Sequence, residues 1–88
     1  MKIRLFGASD CIDCLNVLCL IKKAHIPFEY IDIDDMELDV QEFCDENKVD
    51  KIPHLQFISD KEDVIIEHIG SVSPDQFAQY IIDYLPGY

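Results

Sequence analysis

Two cysteines spaced three apart, Cys11-Ile12-Asp13-Cys14, constrain this chain more than any other stretch, because of what flanks them. Ile3-Arg4-Leu5-Phe6-Gly7 reads as a short strand ending at a glycine, and Leu15 to Ala24 reads as a helix. The thiols therefore stand where a strand hands over to a helix N-terminus. Positions i and i+3 share a helix face, so one sulfur can reach the other. The helix end offers unpaired N–H groups and a partial positive charge, both of which favour a thiolate over a thiol. Such a pair is suited to attacking disulfides. The competing reading is half of a metal site, but zinc needs about four ligands. Cys19 lies round an apolar helix and Cys44 on a different helix, so no metal is expected. Both are read instead as buried small hydrophobes.

The rest of the chain supplies a sheet for that junction. The first helix is apolar nearly all round, with Leu15, Val17, Leu18, Cys19, Leu20 and Ile21, which predicts a helix buried or covered by a neighbour. Asp10 is placed as its N-cap with Asp13 at N3, and Pro27, after His25 and Ile26, ends it. Phe28 to Ile33 reads as a second strand, parallel to the first across the helix. Asp34 and Asp35 lead into a second helix over Met36 to Asn47, with Met36, Val40, Phe43 and Cys44 on one face. Pro53 opens a third strand through Ile58. A polar turn, Asp60-Lys61-Glu62-Asp63, connects it to a fourth over Val64 to Ile69, and so short a link implies an antiparallel hairpin. His54 is read as a strand or surface residue, and His68 has no ligand role. Ser73, Pro74 and Gln76 form a capping box for a final helix, with Val72 and Phe77 as its hydrophobic staple and Pro86-Gly87 as its stop. The order β-α-β-α-β-β-α predicts an α/β domain, a four-stranded mixed sheet with three helices on its two faces.

Composition narrows the partners. Eighty-eight residues make a single domain, 1–88, with a modest core. The net charge of −11 argues against nucleic acid or an anionic membrane surface as a partner. No apolar run approaches the roughly 18 residues of a membrane span, and Met1-Lys2 leads straight into a strand rather than a signal peptide. Four cysteines without a secretion signal fit a reducing cytoplasm, and the chain is expected to act as a monomer.

This arrangement resembles the thioredoxin fold over essentially the whole chain, and in size it resembles glutaredoxins more than full-length thioredoxins. Cys11-Ile12-Asp13-Cys14 matches the family dithiol, Lys51-Ile52-Pro53 the segment ending in a cis-proline, and Gly70-Ser71 the glycine before the last helix. The resemblance implies a thiol–disulfide oxidoreductase in which Cys11 is the nucleophile and Cys14 the resolving thiol. Ile52 and Pro53, with Gly70 and Ser71, would then hold a peptide or glutathione. It implies no bound cofactor, glutathione as a co-substrate, disulfide-containing proteins as substrates, and glutathione or a thioredoxin reductase as reductant. The departures are specific. Ile12 and Asp13 stand where glutaredoxins commonly carry proline and an aromatic; Ala8-Ser9-Asp10 replaces their basic residue; and there is no tryptophan, which thioredoxins usually carry just before the dithiol. Asp10 and Asp13 put two carboxylates beside the nucleophile, opposing the thiolate by about 1 kcal/mol each at ~4 Å in water. The expectation is a higher Cys11 pKa, a more reducing dithiol, and a preference for protein disulfides over anionic glutathione. The competing class is a redox-inert module that uses the groove beside Pro53 to bind peptides.

Overall fold

A computed structural model describes residues 1–85. Seven elements follow in order: β1 (Lys2–Gly7), α1 (Ile12–Lys23), β2 (Phe28–Asp32), α2 (Leu38–Glu46), β3 (His54–Ile58), β4 (Val64–Ile69) and α3 (Pro74–Tyr84). The strands form one sheet in the order β2-β1-β3-β4. β1 pairs parallel to β2, and antiparallel pairs join β1 to β3 and β3 to β4. This is the thioredoxin fold, and the expected element order and mixed sheet both hold.

The two faces of the sheet follow from strand alternation. Ile3 and Leu5 of β1 and Leu55 and Phe57 of β3 point to one side, where Val17 and Ile21 of α1, Phe77 of α3 and Leu85 close the core over them. Arg4, Phe6, His54 and Gln56 point to the other side, under α2; Phe6 stacks on Phe43 at 5.9 Å. Every residue of β3 is buried, because that strand is interior and covered on both faces. β4 is an edge and is largely exposed.

Beneath α2 the register lines up a polar row across all four strands: Glu29, Arg4, Gln56 and Glu67. Arg4 donates to Glu29 Oε2 (3.5 Å) and Gln56 Oε1 (3.1 Å), with its guanidinium 4.7 Å from the Phe43 ring centre. Gln56 Nε2 donates to Glu67 Oε1 (2.7 Å) and Asn47 Oδ1 (3.0 Å). His54 donates from Nε2 to Glu67 (3.1 Å), while its buried Nδ1 lacks a partner among the described residues. His54 is thus a buried strand residue, not a surface one. Apart from His54 Nδ1, the row keeps these buried polar groups hydrogen-bonded, as burial away from water requires.

Several local expectations change. α1 is covered on one face only: Cys14, Val17 and Ile21 are buried, whereas Ile12, Leu15 and Cys19 face outward. Cys19 is therefore exposed, not a core residue, while Cys44 is buried as expected. α2 starts at Leu38 because Asp32 and Asp35 turn the chain first, accepting from the backbone N–H groups of Asp34 (2.9 Å) and Glu37 (3.0 Å). Such side-chain-to-backbone bonds compete with helix, and they leave Met36 exposed. α1 ends as His25 takes a left-handed φ of 56° two residues before Pro27. Ser73 does cap α3, accepting from Gln76 N (3.1 Å), but the Gln76 amide turns to Tyr80, so only half of the capping box forms. The Pro86-Gly87 stop lies outside the described residues.

Candidate functional site

The dithiol stands at the N-terminus of α1, and Cys11 itself is the N-cap. Ala8 O accepts from Cys11 N (3.2 Å), closing the turn between β1 and α1, and Cys11 O accepts from Leu15 N (3.2 Å). The Cys11 sulfur accepts from Cys14 N at 3.2 Å, the position an Asp or Ser oxygen fills in an ordinary cap. Asp10 is therefore not the cap; it sits exposed in the preceding turn, and Asp13 is exposed in the first turn of the helix. A capping sulfur receives both a backbone N–H and the positive end of the helix, which stabilise negative charge on it.

Cys11 and Cys14 are joined in a disulfide, with their Cα atoms 5.2 Å apart. The two differ in access. Cys11 is half-buried, whereas Cys14 is 0% exposed. Gly7 explains how α1 comes so close to the sheet: a Cβ on Gly7 would stand 3.1 Å from Cys14 Cβ, 3.2 Å from its sulfur and 2.9 Å from the Tyr30 hydroxyl. Any larger residue would push the helix or Tyr30 away.

The two segments expected to hold a substrate come together on the far side of Gly7. The Ile52–Pro53 bond is cis, and Pro53 is buried. The β1–β3 register ends at Phe6 opposite His54, so Gly7 and Pro53 stand one step beyond it, with Cys14 over Gly7. Gly70 donates its N–H to Pro53 O (2.8 Å) at a φ of 97°, which suits glycine, and so ties the Gly70-Ser71 turn to Ile52-Pro53. His68 fixes the turn from behind, its Nε2 donating to Ser71 O (3.0 Å) and its Nδ1 accepting from Tyr80 Oη (2.8 Å).

Tyr30 is the neighbour that sequence reading missed. It belongs to β2, pairs with Leu5, and packs against the α1 side of the core. Burial, then the Asp32 and Asp34 carboxylates, push its phenol above the ordinary value. A period-2 reading of β2 together with a parallel register would have found it. Among the described residues, no group of three or more His, Cys, Asp or Glu side chains is arranged to hold a metal ion, and no helix is long and apolar enough to cross a membrane.

No protein-family model matches the sequence, and no curated protein sequence matches it. Solved structures do. Thioredoxin 1 from the thermophilic eubacterium Thermosipho africanus is 25% identical, with a TM-score of 0.71 over 97% of this chain and 94% of its own. Thioredoxin O2 from Arabidopsis thaliana, in the oxidised state, is 20% identical, with a TM-score of 0.74 over 94% and 74% of the two chains. The C-terminal domain of DsbD from Neisseria meningitidis, in the reduced form, is 16% identical, with a TM-score of 0.73 over 94% and 79%.

Proposed function

We propose that this chain, which has the thioredoxin fold, is a thiol–disulfide oxidoreductase acting on protein disulfides. The observation that carries the reading is the Cys11–Cys14 disulfide at the N-terminus of α1, with the Cys11 sulfur seated in the helix cap. In the reduced protein Cys11 is the accessible thiolate. It attacks one sulfur of a substrate disulfide, forming a Cys11–substrate bond and releasing the other substrate sulfur as a thiolate. Cys14 then loses its proton and attacks Cys11 Sγ, breaking that mixed bond and releasing the second substrate thiolate. Two electrons pass from the dithiol to the substrate, and the Cys11–Cys14 disulfide remains. Ile52 and Pro53, tied to Gly70 and Ser71, would hold the extended chain that carries the substrate sulfur.

Charge supports proteins over glutathione. Asp10 and Asp13 are both exposed beside the dithiol on a chain of net charge −11, and a small anionic peptide is repelled there. A protein dithiol reductase then regenerates the enzyme, with glutathione a poor co-substrate. Free thiols at Cys19 and Cys44 suit a reducing cytoplasm. Insulin reduction with dithiothreitol is the test: the wild-type chain accelerates it, and Cys11→Ser abolishes the acceleration. An inert wild-type protein would favour the peptide-binding module. Parallel turnover with thioredoxin reductase and with glutathione plus its reductase identifies the electron source, and the first is expected to be faster.

A further inference from the structure

The resolving step asks something of Cys14 that its surroundings make difficult. Its sulfur is fully buried, and burial in apolar surroundings disfavours a thiolate. The helix cap does not help, because the Cys14 N–H is directed to Cys11 Sγ. A buried thiolate needs another donor.

We propose that the Tyr30 hydroxyl is that donor, stabilising the Cys14 thiolate when it attacks the mixed disulfide. The notch left by the missing Gly7 side chain is bordered by both groups, at 2.9 Å from the hydroxyl and 3.2 Å from the sulfur. Those distances keep Tyr30 Oη within about 6 Å of Cys14 Sγ at most, a span that one bridging water closes and a small rotation of either side chain shortens. Tyr30 is held in place from below, by pairing with Leu5 in the sheet and by packing on the core. Desolvation and the Asp32 and Asp34 carboxylates keep its phenol protonated at neutral pH, so it acts as a donor and not as a base. The balance of the step is unchanged. Cys14 gives its proton to solvent, its electron pair forms the bond to Cys11 Sγ, the substrate leaves as a thiolate, and Tyr30 neither gains nor loses a proton.

The inference rests on the oxidoreductase reading, and one experiment separates the two. The reduced full chain, with Cys19→Ser and Cys44→Ala so that only the dithiol reacts, is mixed with 5,5′-dithiobis(2-nitrobenzoate) and followed by stopped flow. The first equivalent of coloured thiolate reports attack by Cys11, the second resolution by Cys14. In the Tyr30→Phe variant the second phase is expected to slow about tenfold relative to the first at pH 7, the loss of one hydrogen bond to a charged group. The pH midpoint of that phase should rise. An unchanged ratio of the two rates with an unchanged midpoint, including equal slowing of both phases, overturns the role of Tyr30 alone. Release of a single equivalent by the chain that retains Tyr30 overturns the oxidoreductase reading, and this role with it.

Discussion

Asp13 serves two neighbours with opposed interests. In the first turn of α1 its carboxylate complements the helix dipole and favours the helix. Two residues after Cys11 and one before Cys14, it also opposes negative charge on Cys11. Both effects are about 0.3–1 kcal/mol at an exposed position, so neither dominates. Asp13→Asn is therefore expected to raise the rate of Cys11 alkylation by iodoacetamide at pH 7 about threefold to fivefold, with a small loss of helix stability. An unchanged or slower rate would show that the Asp13 carboxylate does not act on the sulfur. At this scale the sequence was legible for the dithiol and for Pro53, and not for their neighbours. Asp10 is a good cap by residue type, but the Cys11 sulfur fills the cap one position later. Tyr30 and Gly7 meet Cys14 only through strand register, which no single residue type announces.

Elements were legible where local chemistry and tertiary packing agree. Ser73-Pro74 announces α3, and the Ser73 hydroxyl accepts from Gln76 N as the pattern implies. Ser73→Ala is expected to cost about 1 kcal/mol and to lower the thermal midpoint by about 4–8 °C for a domain of this size. A midpoint within a degree of wild type would mean the cap contributes nothing. α2 was harder to delimit, because Asp32 and Asp35 hydrogen-bond the backbone into turns where the apolar pattern suggested helix, and its N-cap Glu37 makes no side-chain bond. Outward exposure of Ile12, Leu15 and Cys19 on α1 was hidden for another reason. An all-apolar helix predicts burial, and only the sheet order shows that α1 is covered on one side.

Across the whole molecule, the strand sequence and its short links determine the topology, and that fold is shared with thioredoxins at 20–25% identity and with a DsbD C-terminal domain at 16%. The polar row from Glu29 to Glu67 lay beyond sequence reading, since it arises only when four strands align. Stability should depend on alkaline pH. Burial, then nearby carboxylates, raise the pKa of Tyr30 and of Cys44, Asp45 being the neighbour of the latter. The folded state thus holds these protons more tightly than the unfolded chain. Their contribution is intact below the ordinary Cys and Tyr range and is lost as the pH rises through and beyond about 8.5–10. The thermal midpoint of the reduced protein should fall over that interval, and should fall less in Tyr30→Phe. An equal fall in both would remove Tyr30 from this account. The central claim, that Cys11 attacks disulfides and Cys14 resolves them, is met most directly by trapping. Reduced Cys14→Ser protein, mixed with an oxidised protein substrate and mapped by peptide mass spectrometry, should carry a stable intermolecular disulfide on Cys11, whereas the wild type carries only Cys11–Cys14; an adduct absent from Cys11 would contradict it.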